Sequence, residues 1–187
     1  NSKEENAWVT DLIDSPKNFS RGIDNFFINI SLKENNKINT CIIYNPIRDE
    51  IFYFQNGLGG YKNDYRIRVS ERKRLNESII SFYGNVNQVA ENCILEKIRQ
   101  IIKKENIETR ESGSLFSDLC NIASGKIECF LLPIFNLDLK NTLSLILSET
   151  GGIINEIKLE NKKIFIVSNK YIGKIIKEMI ENRYENR

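Results

Sequence analysis

The chain has 187 residues, 41% of them apolar and 28% charged, with a net charge of +2. That is enough for one domain or a compact two-lobed unit with a sizeable core. The excess charge is too small to argue for nucleic acid or an anionic membrane as partner. There is no histidine, which excludes a Ser-His-Asp or Cys-His enzyme and any His-ligated metal, and leaves carboxylates as the main candidates for catalysis.

In chain order, Trp8 to Asp11 reads as a short buried strand that runs out into a turn through Ser15-Pro16. Strands follow at Phe26 to Leu32, Ile38 to Tyr44 and Glu50 to Gln55. Asn-rich and Asn-Gly turns separate them, Gly59-Gly60 makes a further break, and Tyr65 to Ser70 is extended. Strands joined this closely predict an antiparallel meander. The pattern then changes. Ser78 to Tyr83 is a short apolar strand, and Val86 to Lys104 places its apolar residues at helical spacing. Further strands are read at Glu108 to Glu111, Ile127 to Leu132, Ile153 to Ile157 and Ile164 to Val167. Helices are read at Ser114 to Ser124, Asp138 to Thr150 and Tyr171 to Arg183, the first two stopped by Gly125 and Gly151. An antiparallel half, residues 1–77, thus precedes a β/α half, residues 78–187, with the charged segment Glu71 to Glu77 at the join. Stacked sheets with helices between and outside them would bury both halves as one unit.

Cys41, Cys93, Cys120 and Cys129 make no C-x-x-C pair and sit in apolar or amphipathic runs. They read as reduced core thiols of a cytoplasmic protein. No signal peptide or membrane span is visible, and no aromatic-plus-basic strip specifies nucleic acid. The chemistry-bearing feature is Asp11 and Asp14, three apart, with Ile13 just before the second. Two carboxylates and a backbone carbonyl brought together by a turn make an all-oxygen corner suited to Mg²⁺. Alone, the same spacing is equally that of two exposed turn carboxylates satisfying local amides.

The stretch Trp8 to Phe19 resembles the W-[IV]-x-D-P-[IL]-D-G-T-x-N-F signature of the inositol monophosphatase family. The match continues in order with Tyr44-Asn45-Pro46 and Asp49 to Phe52, with Gly57, Gly59 and Gly60, and with Arg66-Ile67-Arg68-Val69-Ser70. It ends with Arg110-Glu111-Ser112-Gly113-Ser114 and Glu149-Thr150-Gly151-Gly152. The resemblance implies a layered αβαβα sandwich of mixed α+β and α/β character. It implies a cytoplasmic, often dimeric, Mg²⁺-dependent phosphomonoesterase, some bacterial members of which act as transcription antitermination factors that bind RNA polymerase. Carried over, Asp11, Ile13 (through its carbonyl) and Asp14 match metal-binding positions, and Ser15, Gly113 and Ser114 match positions around the substrate phosphate.

Several positions depart from the family pattern. Ser15-Pro16 stands where the family has the Gly-Thr that orients the attacking water, so no catalytic residue is assigned there. An ungapped count forward from Gly125 and backward from Gly151 puts Leu139 on the family's metal-binding Asp and Asp138 one residue before it. Asp138 is then either the cap of the following helix or, after a one-residue slip, a metal ligand. Leu132 falls where many members have a substrate-binding Glu, and Leu115 and Phe116 are bulky residues where the family has small ones, predicted to fill the pocket. The family's first metal-binding Glu lies in an N-terminal hairpin before the Trp, a part missing from this chain; Glu4 and Glu5 read as an exposed loop instead. Two functions follow: a phosphomonoesterase with impaired or absent catalysis, or a non-catalytic binding protein of the transcription-machinery type on the same fold.

Overall fold

The computed structural model describes residues 6–84, 89–133 and 136–184. Glu4, Glu5 and the first turn expected for the Val86 to Lys104 helix lie outside the described residues. Alternation in the first half produces an antiparallel sheet ordered β1-β2-β3-β4-β5-β6. Its strands are β1 (Asn6–Asp11), β2 (Ile28–Glu34), β3 (Lys37–Asn45), β4 (Glu50–Gln55), β5 (Gly59–Lys62) and β6 (Tyr65–Ile67). The inward-pointing Cys41, Ile43, Phe52 and Phe54 are all buried, as period-two patterning requires. A five-residue helix, α1 (Pro16–Ser20), follows β1 with Pro16 in its first turn, where the missing amide hydrogen costs nothing.

The second half builds a mixed sheet ordered β10-β11-β9-β7-β8. Its strands are β7 (Ile79–Phe82), β8 (Glu108–Arg110), β9 (Cys129–Leu132), β10 (Ile153–Leu159) and β11 (Lys162–Ser168). β7 pairs in parallel with β8 and β9, and the rest of the sheet is antiparallel. Helices α3 (Leu115–Ala123) and α4 (Leu137–Thr150) lie between the two sheets. Their apolar residues share one core with Phe52 and Phe54 on one side and Phe130 and Val167 on the other. Helices α2 (Val89–Lys103) and α5 (Ile172–Tyr184) cover the far face of the mixed sheet in a second core. The described residues therefore stack as sheet, helices, sheet, helices. This is the expected α+β layered sandwich, without a helical layer on the outer face of the six-stranded sheet. Among the described residues no helix is long and apolar enough to cross a membrane.

The structure corrects several expectations. Gly59-Gly60 is not a break but strand β5. A Cβ on Gly60 would lie 2.6 Å from Thr150 and 2.9 Å from Phe54, so the strand needs glycine to pass between α4 and β4. The strand expected over 65–70 stops at Ile67, after which Val69 donates its amide to the Thr150 carbonyl. Trp8 is not buried: it is 68% exposed, because β1 is an edge strand and its side chain lies on the uncovered outer face with Ile30 and Ile42. Cys93 is exposed, whereas the other three thiols are buried as expected; all four are free. Leu115 and Phe116 are buried in the inter-sheet core, where helix packing takes them.

Candidate functional site

Asp14 sits where the segment after β1 meets the N-terminus of α3. Its Oδ1 accepts the Phe27 amide at 2.9 Å, and its Oδ2 accepts both the Ser114 hydroxyl at 2.5 Å and the Phe116 amide at 3.0 Å. Ser114 is the N-cap of α3 and accepts the Ser117 amide. A helix start carries spare amides and a positive dipole end, so a carboxylate placed there is held firmly. The neighbouring groups tie the same two segments together. Ser15 is buried and donates its hydroxyl to the Gly113 carbonyl at 2.8 Å. Asn25 donates to the Ser112 carbonyl at 3.0 Å. The structure thus brings Asp14, Ser15, Gly113 and Ser114 together and gives each polar side chain among them a protein partner.

Asp11 lies at the end of β1 with its side chain exposed. Partial burial, and then the charge of Asp14, raise its pKa, while a hydrogen bond from the Ile13 amide partly offsets this. Tyr83, just past β7, is raised by burial and by the charges of Asp14 and Asp11. Burial is the larger cause in both, and the like charge of the two aspartates is the smaller one.

Asp138 is set apart from this corner. The cap of α4 is Asn136, whose side chain accepts the Leu139 amide at 2.7 Å, and not Asp138. Asp138 stands in the first turn and pairs with Lys33 on β2 at 2.9 Å. Leu139 is buried in the inter-sheet core. Among the described residues no three Asp, Glu or Cys side chains converge as a metal-holding group.

Mg²⁺ takes six oxygens in near-octahedral order. Asp14 Oδ2 already accepts two hydrogen bonds and has no lone pair left in its plane, which leaves one on Oδ1. Asp11 and the Ile13 carbonyl are the remaining donors. With no third acidic side chain joining it among the described residues, this set does not fit a two- or three-metal centre.

Sequence reasoning missed Asp118. It is 1% exposed, on α3, and accepts the Ser112 hydroxyl at 2.7 Å. Burial pushes its pKa up to about 6, with hydrogen bonds from Ser112 and Ser81 opposing and the charges of Asp14 and Glu111 assisting. It borders a cavity of about 290 Å³ that Ser112, Asn121 and Lys126 also line. The signal was an acid in a mostly apolar helical run, Leu115 to Ala123, that also holds Ser117 and Asn121. A larger cleft, about 780 Å³, lies elsewhere, between the β2–β3 turn and α4.

A six-stranded antiparallel sheet, an inner pair of helices and a mixed sheet, with Asp11 ending the first strand and Asp14 in the turn after it, define a layered α+β sandwich. The model of the inositol monophosphatase family matches residues 1–184, and the chain belongs to that family. It is 29% identical over 185 residues to a putative Nus factor SuhB of Neisseria meningitidis serogroup B, covering 92% of this chain and 68% of the relative. It is 27% identical over 180 residues to an inositol-1-monophosphatase of Rhizobium meliloti, covering 93% of this chain and 67% of that one. The crystal structure of the extragenic suppressor protein SuhB from Bartonella henselae superimposes with a TM-score of 0.81 at 26% identity, over 96% of this chain and 70% of the other. The chain therefore spans about two thirds of the length of these relatives.

Proposed function

We propose that this chain carries the inositol-monophosphatase fold with its phosphomonoesterase chemistry impaired or absent. The observation that carries this reading is the state of Asp14. The carboxylate that the family resemblance assigns to metal spends three acceptor positions on Phe27, Ser114 and Phe116. Two further features support it. Pro16, at the water-orienting position, has neither hydroxyl nor amide hydrogen, and Leu139 is buried at the position of another metal-binding acid. Bound Mg²⁺ would supply Lewis-acid polarisation of a phosphate. What this chain's own residues do is bind a helix start to a sheet.

The test is phosphate release from 4-nitrophenyl phosphate with and without Mg²⁺, for the wild type and Asp11→Asn. Release at the buffer rate, indifferent to Mg²⁺, is expected. Mg²⁺-dependent turnover that Asp11→Asn abolishes overturns the reading.

The second reading is a non-catalytic binding protein. Its support is that the hydrogen bonds holding the scaffold persist at the corner where the family pattern departs, and that the Neisseria relative is named a putative Nus factor. On this reading the partner is part of the transcription machinery. Co-purification with RNA polymerase that survives Asp11→Asn supports it, and retention of phosphatase activity without any such partner speaks against it.

A further inference from the structure

Two segments that are far apart in sequence meet at the N-terminus of α5. The Asn169 side chain donates to the Arg72 carbonyl at 2.9 Å and accepts the amides of Tyr171 and Ile172. This junction sets the ammonium of Lys73 4.7 Å, and that of Lys170 5.0 Å, from the centre of the same Tyr171 ring. The loop that carries Lys73 is held in shape. Ser70 accepts both the Arg72 amide and its guanidinium, and Arg72 reaches the buried Glu128 at 2.9 Å and the Gly125 carbonyl at 3.2 Å. Gly125 packs so closely on Arg68 and Ser70 that a Cβ there would lie 3.0 Å from the Arg68 carbonyl oxygen.

The surface therefore gathers Lys73 and Lys170 at one half-buried aromatic ring, with exposed Arg74 following Lys73 in the chain, next to the positive end of a thirteen-residue helix. Glu71 and Glu77 offset part of this charge, Glu77 through an exposed pair with Arg74. Two ammonium groups close to one ring repel each other, and an anion that pairs with either relieves that repulsion. Cation–π contacts at exposed sites are weak, and an unpaired base stacks on a tyrosine ring more strongly. An arriving nucleotide can thus give its phosphate to the lysines and its base to the ring. A bilayer would ask for aliphatic side chains to insert, and the exposed aliphatic nearest along α5 is Ile175 alone.

We propose that the Lys73–Tyr171–Lys170 surface binds the phosphodiester backbone of a single-stranded nucleic acid. The sequence offers no such strip because its parts come from separate segments. The surface is independent of the Asp11–Asp14 corner, so failure of the phosphatase reading leaves it standing.

The test is fluorescence anisotropy of labelled oligouridine over a salt series, with each variant shown to be folded by thermal melting. Binding at low salt is expected. Lys73→Ala/Lys170→Ala should weaken it at least tenfold and lower the slope of log K against log salt by about 1.4, the value for two single-strand phosphates. Tyr171→Leu should weaken binding with the slope unchanged. Removing the same charge from turns of the six-stranded sheet, in Lys37→Ala/Arg48→Ala, should leave binding as in the wild type. Absence of binding at low salt overturns the proposal. So does equal weakening by the control pair, or binding to phosphatidylserine vesicles but not to the oligonucleotide.

Discussion

The two helices of the middle layer begin differently, and the difference decides how the acidic corner is read. At the start of α3, Ser114 caps the helix and Asp14 arrives from the other half of the chain to take the Phe116 amide. At the start of α4, Asn136 caps the helix, Asp138 turns to Lys33, and Leu139 goes into the core. Both helix starts offer amides and a positive dipole end. One receives an acid from across the fold, and the other is closed with its own residues and a neighbouring lysine. An acid beside a helix start is therefore not by itself a metal ligand, because the helix can consume it.

The change with the largest expected effect strikes at α3. Asp14→Ala leaves the Phe27 and Phe116 amides and the Ser114 hydroxyl without their acceptor. Unsatisfied donors at a partly buried junction should cost about 3 kcal/mol, read by urea denaturation. Asp11→Asn, on an exposed side chain whose charge is already disfavoured, should leave stability unchanged or slightly raised. Equal losses for the two would erase the contrast between a structural and a free carboxylate.

How far the sequence foretold this arrangement depends on whether the deciding contacts are local. Period-two alternation and Asn-Gly turns foretold the antiparallel half, and Gly151 foretold the end of α4, where its amide and that of Gly152 both bond the Leu147 carbonyl. The segment ending at Ser114 meets Asp14 through a contact between residues a hundred positions apart, which no local pattern states. The cap of α4 was not foretold, because Asn136 and Asp138 are equally good cap residues and the backbone alone decides where the helix begins. Strand β5 was missed because two glycines read as a turn until Thr150 and Phe54 are seen on either side. The exposure of Trp8 was missed because an apolar strand face does not name what covers it. Asp118 escaped because, beside Ser117 and Asn121, it reads as part of a polar helix face until α3 is seen packed between the two sheets.

Asp118 provides the next prediction, on the helix that has the acid-rich start. Its folded pKa is raised above the usual carboxylate value to about 6. The folded protein therefore binds more protons than the unfolded chain between about pH 4 and 6. Its contribution is most favourable below pH 4 and is lost as pH rises through 6, where the buried charge is paid in full. Asp118→Asn removes that charge and keeps an acceptor for the Ser112 hydroxyl. Stability at pH 7 should rise by about 2 kcal/mol, with Tm up by about 4–8 °C, and the decline between pH 4 and 6 should flatten. A lower Tm at pH 7 would mean that the ionised carboxylate holds the Ser112–Ser114 turn together, and that the corner depends on a charge rather than tolerating one.

The smallest expected effect lies at the α4 start and separates the two assignments of Asp138. Its pair with Lys33 is only partly shielded, with side chains 34% and 22% exposed, so Coulomb attraction and helix-dipole terms are both screened by water and salt. Asp138→Ala should cost about 0.5 kcal/mol, and the difference from wild type should shrink in 1 M NaCl, where the Debye length falls to about 3 Å. Mg²⁺ reads the alternative. If Asp138 is only a paired surface acid, any Tm increase that Mg²⁺ gives the wild type persists in Asp138→Ala and disappears in Asp11→Asn. If the increase disappears in both, Asp138 joins Asp11 on the ion. The start of α4 is then open to metal after all, and the contrast with α3 fails at its weaker end.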